Sequence, residues 1–344
     1  MIKKCVLMKH GLNISGTSNN LIGNCCYTPS TRFNQYEIDS VACQACIDQE
    51  NNNIKSYRMG VNEKYGIEQS HNGILVLDIT PNLTCNLACK ICNEFSSSSW
   101  AKLKQIPINK NYNTSPQNLF DIIKQYDLSH LKEINMSGGE PLLNNNLIKY
   151  ISNLDKIVDF SKVNLRFSNN GTIQLNSKTI NFMSQFKLVQ ARFSLDDVYE
   201  GHNYHRYPHR WEDWISNWET FLENMPVNTL PSINRTVSIL NINRLDELEN
   251  WHKKYSYTKL GDPIELIDHF AFGDLNIFQI SQDVKDHILT KFGEESLAWK
   301  YIKNVPISKD IKQCLDYITY LDNLHNQSFK EYDPIMYSIL FKNC

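Results

Sequence analysis

The sequence predicts an α/β fold in which parallel strands are joined by helical crossovers. From residue 73 onward, short β-branched or apolar runs alternate with longer helical patterns, as in consecutive βαβ units. A chain of 344 residues that is 41% hydrophobic and 21% charged is large enough for one main domain and a smaller one. The alternation predicts strands at 74–80, 131–137, 162–168, 188–195, 230–240 and 264–270. It predicts helices at 115–127, 145–156, 174–184, 211–223 and 244–255.

The charge balance does not indicate nucleic acid or an anionic membrane as a partner. The formal net charge is −2, from 35 Lys and Arg against 37 Asp and Glu, and the charges are scattered along the chain. No apolar run reaches the roughly 18 residues that a membrane span needs, and the opening residues lack the apolar core of a signal peptide. Ten cysteines with clustered spacing and no export signal therefore indicate metal ligation in a reducing, cytoplasmic setting.

Three cysteines follow the first predicted strand of the main domain within one short loop. Cys85, Cys89 and Cys92 have the spacing C-x3-C-x2-C, and the serine run after them begins a predicted helix. A cubane iron–sulfur cluster takes one thiolate per iron, so three thiolates leave one iron open to an outside ligand. A zinc site is the alternative, although structural zinc usually takes two pairs of ligands and no second pair closely follows Cys92.

This spacing resembles the signature of the radical S-adenosylmethionine (SAM) superfamily. The resemblance implies a partial (β/α)6 TIM-type barrel over residues 71–270, to which the six predicted strands and the five helices between them correspond. It implies that Cys85, Cys89 and Cys92 are the catalytic ligands of a [4Fe–4S] cluster whose open iron is chelated by the amino and carboxylate groups of SAM. It further implies reductive cleavage of SAM to a 5′-deoxyadenosyl radical that abstracts a hydrogen from the substrate. Parallel barrels carry their chemistry at the C-terminal ends of the strands, where the remaining motifs fall.

Polar motifs follow the second and third predicted strands. Gly138 and Gly139 let the backbone approach a ligand closely, and the Glu140 carboxylate can accept a hydrogen bond from a charged amine. By resemblance to the SAM-binding glycine motif of the family, these three residues contact the methionyl end of SAM. Ser168 and Asn170 lie in an S-N-N-G sequence similar to one the family often has here, which makes them candidate SAM contacts. A plain turn is the alternative for this sequence.

Further candidates follow the fourth and fifth strands. The resemblance places Ser194 and Arg206 near the SAM carboxylate or the substrate, because a guanidinium can form two hydrogen bonds with a carboxylate. A surface arginine at a helix start is the alternative. We expect the amide of Asn241 to contact the adenine edge of SAM, with turn formation as the alternative. Three histidines without a companion carboxylate at helical spacing are predicted to be loop residues rather than a metal site: His202, His205 and His209.

Residues 1–70 are predicted to form a small cysteine-rich module. Two short strands around a turn, at 12–14 and 21–23, would bring the first cysteine back toward Cys25 and Cys26. The module resembles the twitch or SPASM type that carries an auxiliary cluster in radical SAM enzymes. The resemblance assigns four ligands of a second iron–sulfur cluster, with Cys26 as an alternative to Cys25: Cys5, Cys25, Cys43 and Cys46. A four-thiolate zinc knuckle would use the same spacing.

The combined interpretation is a radical SAM enzyme with an auxiliary cluster. Residues 271–344 are helical in pattern and rich in Tyr, Phe and Leu, and we expect this extension to cover the barrel. The implied partners are SAM, an electron donor such as flavodoxin or ferredoxin, and a substrate. That substrate is a peptide or protein that is modified, or a small molecule that is oxidised. The alternative function is a zinc-bearing binding protein on a barrel scaffold, without turnover.

Overall fold

A sheet of eight strands runs through the part of the chain that the structure describes. The structure is a computed structural model, and it describes residues 4–15, 21–23, 43–67, 69–107, 114–278, 280–308 and 310–342. The strands are β1 Gly11–Ser15, β2 Leu21–Gly23, β3 Val76–Thr80, β4 Glu133–Met136, β5 Asn164–Asn169, β6 Leu188–Ser194, β7 Thr229–Val237 and β8 Glu265–Phe270. Within the described ranges, no helix has the length and apolar character that crossing a bilayer requires.

The six strands from β3 to β8 are parallel and lie in chain order, which confirms the predicted α/β fold. The two predicted N-terminal strands are also present, as the antiparallel pair β1 and β2. Their place in the molecule was not predicted, because β1 also pairs in parallel with β3, with Asn13 opposite Asp78. The N-terminal strands therefore extend the main sheet. The division of the chain into domains at residues 70 and 270 stays a prediction.

Helices connect the strands and form the C-terminal region. The first ten are α1 Leu7–His10, α2 Gln44–Asn51, α3 Tyr57–Tyr65, α4 Ser98–Leu103, α5 Pro116–Ile123, α6 Asn146–Ile151, α7 Ser177–Met183, α8 Glu200–His205, α9 Trp211–Asn224 and α10 Leu245–His252. The last five are α11 Gln282–Lys291, α12 Leu297–Ile302, α13 Lys312–His325, α14 Phe329–Tyr332 and α15 Pro334–Leu340. Each of the five predicted crossover helices is present, and the serine run does begin α4. Helices α1, α2, α3 and α8 were not predicted.

Strand alternation divides the sheet into an apolar face and a polar face. On the apolar face, side chains such as Leu77, Leu165 and Val189 pack with residues of the crossover helices, including Trp214 and Trp218 of α9. These contacts bury the large apolar surface that stabilises the fold. The opposite side of the strands, which we call the polar face, carries mainly polar and charged side chains: Asp78, Asn135, Arg166, Arg192 and Ser232.

Helix α3 lies against one end of the polar face. Tyr57 Oη accepts a hydrogen bond from Arg166 Nη2 at 2.8 Å, and Tyr65 Oη donates to Glu133 at 3.0 Å. Arg166 also forms an ion pair of 2.8 Å with Glu133. Because both partners are buried, this pair is stable only while the surrounding hydrogen bonds remain intact. The α3 contacts therefore tie the N-terminal segment to the strands.

The C-terminal helices pack over the ends of β7 and of the cysteine loop. Side chains of α11, α13 and α15 share one hydrophobic cluster with Val237 and Leu240 after β7, and with Trp100 of α4. The predicted helical character of residues 271–344 is thus confirmed for the described part. This packing brings residues near the end of the chain into contact with the loop that carries Cys89.

Candidate active site

The cysteine loop joins β3 to α4, and the serines that follow it fix its shape. Ser98 Oγ accepts from Cys85 N and donates to Cys85 O, both at 3.0 Å. Ser97 Oγ donates to Leu87 O at 2.6 Å and also caps the start of α4. Serine is well suited to both tasks because its short hydroxyl bonds the local backbone. The serine side chains therefore tie the first residues of the cysteine loop to the start of α4.

The three thiols lie close enough to influence one another electrostatically. Cys89 is buried, and Cys85 and Cys92 are half-buried. Burial raises the pKa of Cys89 to about 12 and that of Cys92 to about 11, and the neighbouring thiols raise each further. A cation that binds here must displace the thiol protons, so metal binding releases protons. Such a set of sulfurs fits an iron–sulfur cluster.

Two hydrogen-bond donors point at these sulfurs. Asn170 Nδ2 lies 3.7 Å from Cys85 Sγ, and Arg206 Nη1 lies 3.7 Å from Cys89 Sγ. Donors and positive charge near sulfur stabilise a bound thiolate and tune the metal it holds. Both residues were predicted as SAM contacts, and the structure brings both to the cysteine loop. Direct contact with SAM stays a prediction.

The predicted glycine turn packs directly against the cysteine loop. Gly138 has a φ of +80° and Gly139 a φ of +54°, a region that other residues rarely adopt. A Cβ on Gly138 would lie 2.2 Å from Thr80 Cγ2, so the space around the turn is closed to larger residues. Gly139 N donates to Ser96 O at 3.3 Å, and Glu140 N donates to Thr84 O at 2.7 Å. The turn and the loop therefore form one unit.

Glu140 joins the glycine turn to the end of β5. Its carboxylate is 1% exposed and accepts hydrogen bonds from Leu142 N at 2.9 Å and Asn170 N at 2.7 Å. Burial raises the pKa of Glu140 to about 7, although these two amides favour the charged form. In the structure both carboxylate oxygens thus bind backbone amides. Contact between Glu140 and the amine of SAM stays a prediction.

The polar strand ends of β5 and β6 lie beside this unit. Ser168 and Ser194 are half-buried and point away from the apolar core. Arg206 Nε lies 2.7 Å from Asp196 Oδ2, and Asp196 Oδ1 accepts from Thr236 N at 2.8 Å. Arg206 is buried, so the alternative of a surface arginine is wrong. The ion pair fixes Arg206 next to Cys89.

Asn241 forms a turn after β7, as the alternative reading proposed. Its Oδ1 accepts from Ser238 N at 2.8 Å, and its Nδ2 donates to Asp196 O and Thr236 O, both at 2.9 Å. Both amide protons are therefore used within the protein. The contact with adenine stays a prediction, and it would need the remaining lone pair of the oxygen.

Two of the three histidines do not lie in a loop as predicted, whereas His209 does. His202 and His205 are buried in the short helix α8, because their rings pack among aromatic side chains. His202 Nε2 lies 3.1 Å from His209 Nδ1, and His205 Nε2 lies 3.1 Å from Tyr332 Oη. Within the described ranges, no three His, Cys, Asp or Glu side chains form a group that could hold a single metal ion. A cubane distributes its thiolates over several irons, so it requires a wider spacing than one ion does.

Trp100 and residues near the C-terminus brace the cysteine loop, and no sequence motif indicated these contacts. Trp100 Nε1 donates to Cys89 O at 2.7 Å, and His325 Nε2 lies 2.8 Å from Ala88 O. Lys90 forms an ion pair of 3.3 Å with Asp322 of α13. The contacts of Asp322 and His325 join residues more than 200 positions apart, so no local pattern could identify them.

The N-terminal cysteines that the structure describes are buried. Cys5 and Cys43 belong to one hydrophobic cluster, and Cys46 follows in the first turn of α2. The buried Arg58 binds Glu50 at 2.6 Å, and its positive charge acts on Cys43 and Cys46. Among described residues, Arg58 Nη1 has no hydrogen-bond partner, which fits a site that gains negative charge. The predicted ligand Cys25 and its alternative Cys26 lie outside the described residues.

A cavity of about 380 Å³ opens beside the cysteine loop. Cys92 and Lys90 lie on one side of it, and Thr236 and His269 of the polar face lie on another. Gln49 of α2 closes a third side. The cavity thus connects a proposed cluster ligand with polar side chains of the sheet.

The profile of the radical SAM superfamily matches residues 79–251, about half of the 344 residues. This range begins in β3 and contains the cysteine loop, the glycine turn and Arg206. The chain belongs to the radical SAM superfamily. Membership implies a [4Fe–4S] cluster and SAM, and it supports an enzyme that carries out the general radical SAM reaction. It also agrees with the partial TIM-type barrel formed by β3 to β8.

Known radical SAM proteins are similar to the chain over different lengths. The radical SAM cyclopropyl synthase TigE of Paramaledivibacter caminithermalis is 26% identical over 249 residues, which cover 68% of this chain and 50% of TigE. The chain therefore spans about half the length of this relative. Native anSMEcpe with bound AdoMet is 17% identical, with a TM-score of 0.43, over 78% of this chain and 67% of that one. SuiB of Streptococcus suis is 14% identical, with a TM-score of 0.43, over 89% of this chain and 70% of the SuiB chain.

Proposed function

We propose that this radical SAM protein abstracts a hydrogen atom from a peptide or protein, or from a small molecule that it oxidises. The observation that carries the proposal is the packing of the glycine turn against the cysteine loop, through Gly139 N to Ser96 O and Glu140 N to Thr84 O. A ligand held by the backbone of Gly138 and Gly139 would lie next to the three thiols. This is the arrangement that binding of SAM at an open iron requires.

Each of the surrounding residues has a role in this proposal. Three thiolates hold the cluster, namely those of Cys85, Cys89 and Cys92. When bound, the cluster supplies the electron that cleaves SAM to the 5′-deoxyadenosyl radical. Arg206 and Asn170 donate hydrogen bonds to the sulfurs, and the carboxylate of Glu140 links the glycine turn to the end of β5. Ser168 and Ser194 supply hydroxyl groups to SAM, and Asn241 fixes the turn beyond β7.

A second cluster in the N-terminal segment is part of the proposal. Its ligands are Cys5, Cys25, Cys43 and Cys46, with Cys26 as an alternative to Cys25. The burial of the three described cysteines supports it, and so does Arg58 Nη1, which has no hydrogen-bond partner among the residues that the structure describes. A positive group that is buried beside two thiols stabilises their thiolate forms, as cluster ligation requires. An electron donor such as flavodoxin or ferredoxin completes the proposed partners.

The proposal is tested by anaerobic reconstitution followed by incubation with SAM and dithionite. We expect wild-type protein to bind iron and sulfide and to form 5′-deoxyadenosine, and we expect Cys85→Ala to form none. Cys314→Ala is the matched control, because Cys314 is a half-buried cysteine of α13 outside the site. Formation of 5′-deoxyadenosine by Cys85→Ala would reject the assignment of the loop. A protein that holds zinc and no iron would support the binding-protein alternative.

A further inference from the structure

Strand β8 forms one edge of the described sheet, where it pairs in parallel with β7. Phe270 lies opposite Val237, and Ala271 N donates a hydrogen bond to Val237 O. In a parallel ladder, the residues whose backbone groups bond a given neighbour alternate along the strand. The N–H and C=O groups of the alternate residues Leu266, Asp268 and Phe270 therefore point away from β7, towards the outer edge of the sheet.

A cavity of about 960 Å³, which we call the edge cavity, runs along this outer edge. Its lining includes Ile267 and Asp268, which strand alternation places on opposite faces of the sheet. One wall is α12, whose Tyr301 donates to Asp268 Oδ2 at 2.5 Å. The other wall is formed by residues 52–55, which lead from α2 into α3 on the polar face. The edge of β8 thus lies at the bottom of a groove between two walls.

The edge cavity adjoins the cavity beside Cys92. Phe270, the last residue of β8, lines both cavities. On the opposite wall, Asn52 lines the edge cavity and Gln49 lines the cavity beside Cys92. Parallel barrels carry their chemistry at the C-terminal ends of the strands. A chain that lay along β8 would therefore lead to the proposed cluster.

The sequence of β8 lacks the features with which sheets usually protect an edge. Its six residues, ELIDHF, include no proline and no lysine, and its register with β7 continues without a bulge. At the other edge of the described sheet, β2 has only three residues. A strand of six residues offers an edge about 20 Å long. Such an edge is suited to pairing with an added strand.

The walls of the edge cavity carry three lysines that are exposed to solvent. Lys55 lies on one wall, and Lys300 and Lys303 lie on the other. Lys55 forms an ion pair with Glu63 at the surface. Lys300 forms another with Glu295. Exposed pairs of this kind contribute little to stability, so both amines can turn towards an incoming carboxylate.

Fewer negative charges line the edge cavity in the described ranges. Asp268 forms an ion pair of 2.8 Å with the buried Arg235, which neutralises it. Glu265 lies at the start of β8 and is exposed. Three lysines against this glutamate give the described walls a net positive charge. They are complementary to a chain that carries acidic side chains.

We propose that an extended, acidic peptide segment of the substrate adds to β8 as a further strand and leads the residue to be modified into the cavity beside Cys92. The inference rests on the proposed function and selects a peptide or protein as its substrate. Strand addition gains affinity from main-chain hydrogen bonds, here with Leu266, Asp268 and Phe270, and side chains set the preference. A small molecule would leave most of this row of backbone groups unused.

Hydrogen–deuterium exchange of the reconstituted protein tests whether a strand is added. The probe is a fluorescein-labelled peptide of alternating threonine and glutamate, six residues long to match β8. We expect saturating peptide to slow the exchange of about three amides of β8, those of Leu266, Asp268 and Phe270, because each gains a hydrogen bond. Unchanged exchange in β8 would overturn the proposal. Slow exchange that depends on protein concentration without peptide would also overturn it, because a second copy of the chain would then cover the edge.

Fluorescence anisotropy at constant ionic strength tests the chemistry of the occupant. We expect the glutamate peptide to bind about tenfold more tightly than a peptide with lysine in place of glutamate. Only one set of alternate peptide amides can face β8, so N-methylation of that set should weaken binding about tenfold more than N-methylation of the other set. Equal binding of the two methylated peptides, or displacement of the glutamate peptide by an equal concentration of a thymidine hexanucleotide, would overturn the proposal.

Charge-reversal variants locate the binding site. We expect the double variant Lys300→Glu, Lys303→Glu to bind the glutamate peptide about tenfold more weakly than wild type. The matched control is Lys149→Glu, Lys178→Glu, which reverses two exposed lysines of α6 and α7, outside the lining of the edge cavity. Equal weakening in both double variants would show that binding follows net charge alone and would overturn the proposal. Failure of wild type to form 5′-deoxyadenosine would overturn the proposed function alone, because binding is measured without SAM or dithionite.

Discussion

Gly139→Ala tests the contact between the glycine turn and the cysteine loop. A Cβ at this position would lie 2.4 Å from Thr84 O and 2.9 Å from both Thr84 C and Thr84 N. These are backbone atoms, so they cannot rotate away as a side chain would. The φ of Gly139 is +54°, which adds a cost for any residue that has a Cβ.

The expected magnitude follows from these two costs. The left-handed backbone costs about 1–2 kcal/mol, and overpacking against fixed atoms costs about 1–3 kcal/mol. We therefore expect the free energy of unfolding to fall by about 2–5 kcal/mol. Gly261→Ala is the matched control, because Gly261 has a φ of +85° and nothing within 4 Å of the added Cβ. Only the backbone cost of about 1–2 kcal/mol applies there.

Urea unfolding followed by circular dichroism measures the difference. With an m-value of about 3 kcal/mol/M, the midpoint should fall by about 1 M in Gly139→Ala and by about 0.5 M in Gly261→Ala. If the chain relieves the clash by moving the turn instead, the formation of 5′-deoxyadenosine should fall in Gly139→Ala and not in the control. Equal midpoints together with full activity in both variants would refute the packing that we describe.

Three further predictions concern the N-terminal site, the pH dependence and the brace on the loop. Cys43→Ala is expected to lower the iron content after reconstitution by about half, and iron content equal to that of Cys314→Ala would argue against the auxiliary cluster. Burial lowers the pKa of His202 to about 2, whereas the pKa of an unfolded histidine is about 6.5. The contribution of neutral His202 to stability is therefore complete above a pH of about 6.5 and is lost as the pH falls below it. The free energy of unfolding should be about 2 kcal/mol lower at pH 5 than at pH 7 from this residue, and an unchanged pH dependence in urea unfolding of His202→Phe would contradict this. His325 Nε2 lies 2.8 Å from Ala88 O, beside Cys89. The free energy of unfolding of His325→Leu should therefore be about 1–3 kcal/mol lower than that of wild type, and the variant should release iron to a chelator faster. Equal release rates would show that α13 does not hold the loop.

The parallel strands and their crossover helices were predictable because their signal is local. Alternation of apolar runs and helical periodicity located all six strands from β3 to β8 within a few residues. The cysteine spacing and the glycine pair are also local, and parallel strands bring their ends together at one edge. The proximity of the glycine turn to the cysteine loop therefore follows from sequence and topology together.

The contacts that decide side-chain roles could not be read from the sequence. Glu140 binds the amide of Asn170, which is 30 positions away, and Arg206 pairs with Asp196 on another segment. The helix that contains His202 and His205 is short, and burial among aromatic rings stabilises it more than any periodic pattern does. The paired residues of β1 and β3 are more than 60 positions apart in the sequence, and the five residues of β1 do not indicate which strand they pair with.

The central claim is that Cys85, Cys89 and Cys92 hold a cluster whose open iron receives SAM beside the glycine turn. EPR spectroscopy of the dithionite-reduced protein, recorded in a Cys43→Ala background with and without SAM, tests this claim most directly. We predict that SAM changes the spectrum, and that the signal disappears when Cys85 is also replaced by alanine. A cluster spectrum that saturating SAM leaves unchanged would contradict the account.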